Sequence, residues 1–409
     1  MTRAIISLNS GSSSIKFGLY TLGPDGPRHV AGGKLEGIGT SPRILIRSDE
    51  GEVLLEKQWM DGAGLTHEPL LDELYDWAAT HLNRHEVVAV GHRVVHGGSR
   101  FWTPQRVDAA LLGELDAFCS LAPLHQPHNL AAIREIARKS PHLLQIACFD
   151  TGFHHAMPAI ASHLALPRAL SDRGFRRYGF HGLSYEYIAL RLRELDPILA
   201  QGRVLAAHLG NGASMCAMRG GVSIDTTMGF TALDGLMMGT RTGSIDPGVV
   251  VHLQLQEGFS AGEVESLLYR QSGLLGVSGV SSDMRALHAS ADPHAAEAIE
   301  LFVWSAARQA SALIGSLEGL DGIIFTAGIG ENDPIIRAAI CARLAWAGVR
   351  LDEGANVSGA DVISRSDSDV TVRVIPTDEE RMIAMHTSNL LEHEQIGRAS
   401  CRERVCLYV

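Results

Sequence analysis

Three short runs of small residues stand where backbone N–H groups could face an anion. The run from Asn9 to Lys16 carries hydroxyls at Ser10, Ser12, Ser13 and Ser14 and one cation, Lys16, a composition that suits phosphate oxygens. His208 to Gly212 has the same character. Gly328 to Asn332 lies between an apolar strand, Gly322 to Phe325, and a helix start at Asp333, where amides and the helix dipole favour a phosphate. Each alone reads as an ordinary polar turn, and none has the glycine, four residues, Gly-Lys-Ser/Thr order of a P-loop. Three in one chain point to a nucleotide cradle. Arg93 follows an apolar strand, and Arg241 lies in a glycine-flanked run, 238–243. A surface salt bridge is the bland reading of either; on a short tether a guanidinium offers a planar fork for carboxylate or phosphate. Asp150, directly after a strand, and Glu379, in the first turn of a helix, could serve Mg2+, which takes oxygen ligands and keeps waters. Singly, each acid reads as a cap or a solvated side chain. His125, His154, His155 and His181 have no metal-binding spacing, but glycines bracket His181 in the run 176–182.

These residues need elements to hold them. Ala4 to Leu8 and Ile15 to Tyr20 read as strands of a hairpin folded at the first turn, with more strand signals at His29 to Leu35 and Arg43 to Ile46. Leu70, Leu71, Leu74, Trp77, Ala78 and Leu82 recur at helical spacing before an apolar strand, Val87 to Val90. Helices near Val107 to Phe118 and Asn129 to Arg138 precede a strand, Gln145 to Phe149. The second part opens as the first does, with Val204 to Leu209, a turn, and Met215 to Met218. Superimposing Gly11 on Gly212 pairs Leu8 with Leu209 and Ser13 with Ser214, an internal repeat. Asp246-Pro247, Asp292-Pro293 and Asp333-Pro334 place an acid at the N-cap before an N1 proline. Ser260 with Glu263 forms a capping box, on a helix expected to close at Gly273. The longest helix is expected from Asp292 toward Gly319. After a strand at Val372 to Ile375, Thr377 and Glu380 read as another capping box, which puts Glu379 at N2 of a helix through Leu390. Residues 395–409 show no period and read as a non-native tail.

Composition narrows the class. The 409 residues carry 35 Lys+Arg against 46 Asp+Glu, a net charge of −11, which sets the chain against general nucleic-acid or anionic-membrane binding. Apolar residues at 45% and charged at 20% are globular values. The opening apolar run breaks at Ser7, too soon for a signal-peptide core, and no stretch reaches the roughly 20 apolar residues of a membrane helix. Six scattered cysteines without a CxxC read as reduced thiols. A cytoplasmic protein is expected.

Nine segments in order carry a more specific signal: 8–16, 92–98, 121–127, 176–182, 208–214, 225–247, 273–285, 325–332 and 376–380. Together they resemble the acetate kinase family, within the larger group of acetate and sugar kinases, Hsp70 chaperones and actin. The resemblance implies an α/β fold of two similar lobes of the ribonuclease H-like type around a nucleotide cleft. It implies reversible phosphoryl transfer between ATP and a short-chain carboxylate, giving ADP and an acyl phosphate, with Mg2+ or, in its place, Mn2+. By that pattern Asn9, Ser12, Ser14 and Lys16 line the phosphate and metal region, with Asn9 and Glu379 holding the metal. His208, Leu209, Gly210, Asn211 and Gly212 form the matching ATP loop of the other lobe. Asp283, Met284 and Arg285 fall at the adenosine end with Gly328, Ile329, Gly330, Glu331 and Asn332. Arg93, Arg241 and His181 surround the transferring group, and Asp150 and Glu379 match the acidic positions near the metal. The family position of Asp150 is often assigned proton transfer, but a carboxylate substrate is already ionised at pH 7 and needs no general base, so Asp150 is expected to orient Mg2+ or phosphate through water. Val95, Leu124, Phe180 and position 232 make the acyl pocket. There the chain has Ala232 where the family pattern has proline, which favours propionate more than a proline-bearing enzyme would. Asp234 replaces the commoner glutamate and Ser10 the usual alanine.

The expected lobes are 1–150 with 379–394, and 151–378, in a homodimer formed through the second. The competing class is an ATP-driven switch of the Hsp70 or actin kind. Against it stand Arg93, Arg241 and His181, which provide for an anionic acceptor, and the lack of a peptide-binding domain after residue 394. An inactive scaffold ranks below both, since every polar position of the pattern is filled.

Overall fold

The computed structural model describes residues 2–11, 14–59, 64, 65, 67–81 and 85–405, with side chains described for all of these but 75, 76, 79–81, 85 and 394–405. Ser12 and Leu82 lie outside the described residues. The chain divides into two compact units, Met1–Gly152 with Asp378–Val409, and Phe153–Thr377.

In the first unit β1 (Thr2–Ser10) and β2 (Ser14–Gly23) pair antiparallel, with Asn9 opposite Lys16. β3 (Gly26–Glu36), β4 (Arg43–Ser48) and β5 (Val53–Gln58) continue the meander. β5 has no strong sequence signal, because only Val53, Leu54 and Leu55 are apolar before Glu56 and Lys57. After α1 (His67–His81), β6 (His85–Val94) returns parallel to β1. A two-residue edge strand β7 (Gln105–Arg106) and helices α2 (Ala109–Asp116) and α3 (Gln126–Lys139) lead to β8 (Leu144–Phe149), parallel to β6. One face of this eight-stranded sheet buries Leu8, Ile15, Phe17, Ile44 and Ile46 against Leu70, Leu74 and Trp77 of α1.

The second unit begins with two single-turn helices, α4 (Ala159–Ser162) and α5 (Arg168–Ser171), then α6 (Gly182–Leu195). β9 (Arg203–Leu209), β10 (Ala213–Arg219) and β11 (Val222–Thr226) form the second meander. Helices α7 (Pro247–Leu255), α8 (Ala261–Arg270), α9 (Gly273–Ser278), α10 (Met284–His288) and α11 (Pro293–Leu317) follow. β12 (Gly322–Thr326) runs parallel to β9, and α12 (Ala327–Asn332), α13 (Pro334–Arg343) and α14 (Glu353–Ser358) precede β13 (Thr371–Val374). β12 is buried along its whole length, as its unbroken apolar run requires. The repeat is topological. The order β3-β2-β1-β6-β8 within the first sheet has the same arrangement as β11-β10-β9-β12-β13, three antiparallel strands followed by two parallel ones.

Helix α15 (Glu379–Val405) closes the chain on the first unit, where Ala384 and Leu391 pack on Ile5, Tyr20 and Ala89. Gly91 permits this approach, since a Cβ there would lie 2.1 Å from Thr387 Oγ1.

Asp246, Asp292 and Asp333 each cap a helix whose first residue is proline, and Ser260 with Glu263 completes both halves of its box. Other expectations are corrected. α8 ends at Arg270; Gly273, at φ +63, instead opens α9, because a Cβ there would meet Met238 O at 2.1 Å. The cap of α15 is Asp378, whose Oδ1 accepts from Arg381 N, so Glu379 is the first helical residue; Thr377 N instead donates to Glu331 Oε1. α15, with 27 residues, exceeds the 25 of α11 and continues past 394, since no proline stops it. Residues 328–332 are helical rather than an open loop.

Candidate active site

In the first unit the carboxyl ends of the parallel strands β1, β6 and β8 bring Asn9, Arg93 and Asp150 side by side, the end at which open α/β sheets place ligands. Arg93 donates to Asp150 Oδ2 from Nε at 2.9 Å and Nη2 at 2.5 Å, and from Nη1 to Asn9 Oδ1 at 3.3 Å. Asn9 Nδ2 donates to Glu379 Oε2 at 3.1 Å, and Arg93 Nε lies 3.9 Å from the same oxygen. The Asp150 side chain is fully buried and that of Arg93 11% exposed. Burial opposes the guanidinium charge, but Asp150 and Glu379 outweigh it and raise the Arg93 pKa. A guanidinium so held is a fixed cation.

The turn after β1 is held from below. Gly11 N donates to Ser14 O, Asn129 Nδ2 donates to Ser10 O at 2.6 Å, and His67 Nε2 lies 2.7 Å from Gly11 O. Asn129 Oδ1 also accepts from Val95 N, so one buried side chain of α3 ties the turn after β1 to the strand end that carries Arg93. Sequence reasoning missed Asn129 and His67, since an Asn inside a helical pattern and a lone His carry no positional signal. Lys16 is exposed, Val95 buried and Leu124 half-buried. The neighbouring His92 and His96 are buried, their pKa values pushed down to about 4 by desolvation, so they are neutral structural groups.

Asn9, Asp150 and Glu379 form an oxygen-only donor set with two carboxylates, which fits a hard divalent cation. Among the described residues no cluster of three or more His, Cys, Asp or Glu side chains forms a metal cage. Mg2+ needs none, being bound by one or two carboxylates together with substrate phosphates.

In the second unit His181 is the N-cap of α6 in the left-handed region at φ 58, the kind of backbone strain that collects at functional sites. Its Nδ1 lies 2.8 Å from Ser214 Oγ, which in turn lies 2.5 Å from Tyr185 Oη. The ring stacks on His208 with centroids 4.1 Å apart, and His208 Nδ1 meets Ser184 Oγ at 2.8 Å. Arg241, 8% exposed, donates from Nη1 to Ala232 O at 2.7 Å. Both side chains turn toward Gly212: a Cβ there would lie 2.6 Å from Arg241 Nη2 and 3.5 Å from His181 Nε2. Gly239 closes on the same turn, its absent Cβ 1.9 Å from Asn211 Oδ1. His208 to Gly212, His181 and Arg241 are thus one assembly. His154, whose ring nitrogens meet Ser223 Oγ and Phe180 O, is a buried structural histidine with its pKa pushed down to about 4 by burial.

The other loop residues divide. Glu331 Oε1 accepts from Ala327 N at 2.7 Å and Thr377 N at 3.1 Å, so this carboxylate braces its own turn; Ala327 sits at φ 66. Asn332 Nδ2 donates to Gly328 O. Arg337, 1% exposed, donates from Nη1 to Gly330 O and Glu331 O and from Nε to Asn356 Oδ1. It pins α12 from behind, and nothing in the sequence around it announces that role. Asp283 caps α10 and pairs with the exposed Arg285, which lowers the Asp283 pKa, while Met284 is buried. Phe180 is buried, as is Ala232.

The family model for the acetokinase family matches residues 4–385. The chain belongs to that family. A relative from Rhodopseudomonas palustris named acetate kinase is 51% identical over 397 residues, 96% of this chain and 99% of the relative. Among solved structures, a propionate kinase from Francisella tularensis superposes with a TM-score of 0.84 at 36% identity, covering 94% of this chain and 98% of its own. An acetate kinase from Porphyromonas gingivalis gives 0.81 at 34%, covering 95% and 100%. The fold is therefore the two-lobed α/β fold of the acetate and sugar kinase, Hsp70 and actin group. As an acetokinase the chain is a phosphotransferase with a carboxyl-group acceptor and ATP or ADP as co-substrate. Among the described residues no helix is long and apolar enough to cross a membrane.

Proposed function

We propose that this acetokinase transfers the γ-phosphoryl group of ATP reversibly to acetate, and that the residues assembled in each unit serve this one reaction. The observation that carries the reading is the convergence of Arg241 Nη2 and His181 Nε2 on the space left open by Gly212. Two donors aimed at one small volume suit an anion, and preorganised donors are the main catalytic resource in phosphoryl transfer. Acetate is ionised at neutral pH, since carboxyl pKa values lie near ~4, so no general base is needed. A carboxylate oxygen attacks the γ-phosphorus; the new C–O–P linkage forms as the bond to the bridging oxygen breaks, and that electron pair leaves on ADP. Arg93 orients the incoming carboxylate, while Arg241 and His181 hold the equatorial oxygens. Asp150, buried and ion-paired, holds Arg93 in place rather than moving a proton. Asn9 and Glu379 would hold Mg2+, which when bound neutralises phosphate charge. The turn from Asn9 with Ser12, Ser14 and Lys16, and the turn 208–212, contact the phosphates. Asp283 to Arg285 and Gly328 to Asn332 take the adenosine end.

Val95, Leu124, Phe180 and Ala232 are proposed to face the methyl group. The Ala232 side chain is small, and its carbonyl is held by Arg241, so propionate is accepted as a graded second substrate. One methylene changes such a preference by only ~1 to 3 kcal/mol. The protein is further proposed to be a homodimer: α7 buries none of its nine residues and leaves Val249, Val251 and Leu255 47%, 53% and 73% exposed, an apolar face that a second copy would cover. A cytoplasmic location fits the buried thiols of Cys148, Cys216 and Cys341.

The test is hydroxamate trapping of acyl phosphate formed from ATP and Mg2+ with formate, acetate, propionate and butyrate in turn, beside ATP turnover without acid. Acid-dependent product with acetate ahead of propionate supports the proposal. ATP turnover indifferent to any acid would sink it.

A further inference from the structure

The hydrogen-bond chain behind His181 has a determined direction. Tyr185 is fully buried, and desolvation raises its phenol pKa well above 10, so it keeps its proton. A buried phenol that keeps its proton needs an acceptor for it, and Ser214 Oγ stands 2.5 Å from Tyr185 Oη to take that bond. A hydroxyl that accepts from Tyr185 has one hydrogen of its own to give. His181 Nδ1 stands 2.8 Å away to take it. An imidazole that accepts at Nδ1 carries its proton on Nε2, the nitrogen that turns toward Gly212 and Arg241.

We infer that Tyr185 and Ser214 are positioning residues that lock His181 as the neutral Nε2–H tautomer, so that it meets the transferring phosphoryl group as a hydrogen-bond donor without being an imidazolium. This rests on the role of His181 proposed above. The groups around the ring agree with it. His208 of β9 stacks face to face at 4.1 Å, and Arg241 faces it across Gly212, so a positive charge on His181 would be placed beside one cation and against a second ring. Tyr185 of α6 and Cys216 of β10 are ionisable neighbours of the relay as well; burial pushes the Cys216 thiol up to about 12, so it is neutral. The same logic explains the left-handed backbone at His181: at the N-cap of α6, four residues before Tyr185, it places Nδ1 on a strand hydroxyl and Nε2 toward the turn.

The test reads the ring directly. Full-length protein labelled with 15N-histidine, with His181→Ala as the assignment control, is expected to show His181 protonated at Nε2 and bare at Nδ1 at pH 7.5. Ser214→Ala is expected to give a mixture of tautomers and a kcat lower by about 10- to 100-fold, by analogy with the loss of an outer partner of a metal-binding histidine, with the ATP KM within twofold. Ser214→Thr, which keeps the hydroxyl, should restore both tautomer and rate. Tyr185→Phe combined with Ser214→Ala should be no slower than Ser214→Ala alone, because both act through one chain. An Nδ1–H tautomer or a charged ring in the wild-type protein, or an unchanged kcat in Ser214→Ala, would overturn the inference. The tautomer is measured without substrates, so a failed acyl-phosphate assay would remove the functional reading and leave this result standing.

Discussion

Adding one methyl group at Gly212 is expected to stop catalysis without unfolding the protein. The Cβ of Gly212→Ala would lie 2.6 Å from Arg241 Nη2, against the 3.4 Å at which ordinary contact begins, so the guanidinium must retreat by about 0.8 Å. It cannot do so freely, since Nη1 is bound to Ala232 O at 2.7 Å. Displacements near 1 Å in a reacting constellation cost on the order of 10²-fold in rate, and a Cβ 3.5 Å from His181 Nε2 also occupies volume assigned to the phosphoryl group. We therefore expect kcat to fall by about 10²-fold or more. Stability should hold, because the Gly212 backbone lies outside the left-handed region and alanine reduces the freedom of the unfolded chain. The assay is hydroxamate-trapped acetyl phosphate at saturating ATP, with thermal denaturation in parallel. A kcat within threefold of wild type, or loss of activity matched by loss of the fold, would refute the assignment of this space to the transferring group.

Arg241→Ala is expected to lose about 10³-fold in kcat, by analogy with arginine fingers, with normal folding by circular dichroism. Arg93→Ala should lose activity too, but also about 3–5 kcal/mol of stability in urea titrations, because it removes the guanidinium that pairs with the fully buried Asp150 carboxylate. Arg337→Met frees the carbonyls of Gly330 and Glu331, and should raise the ATP KM severalfold while leaving the acetate KM nearly unchanged in steady-state kinetics. His92, His96 and His154 have folded-state pKa values lowered from 6.5 to about 4, so between pH 6.5 and 4 the unfolded chain binds more protons than the folded one. Stability is then present above pH 6.5 and lost as the pH falls, by up to roughly 3 kcal/mol per histidine. Urea midpoints measured at pH 7.5 and 5.0 should show the decline, and a flat profile would contradict it.

Element order, the proline-led helix caps and family membership were legible in the sequence because each depends on residues a few positions apart. Asp292-Pro293 caps α11 whatever the rest of the chain does, and the nine runs taken in order, 208–214 among them, point to the family without any contact being known. The strand ends were readable for the same reason, and they placed Asn9, Arg93 and Asp150 each after an apolar run. Which side chains those ends bring together was decided by tertiary structure alone. Arg93 finds Asp150 across 57 positions, Asn9 finds Glu379 across 370, and His181 finds Ser214 across 33. No local period encodes such pairs; they follow from strand order, from a helix returning to the first sheet, and from the absence of a side chain at Gly91. The supports were hidden for a related reason. Asn129, Arg337 and Ser214 act through hydrogen bonds to backbone or to another side chain, and a polar residue that braces its neighbours has the same composition as one that faces water. What separates them is burial, and burial is a property of the folded chain.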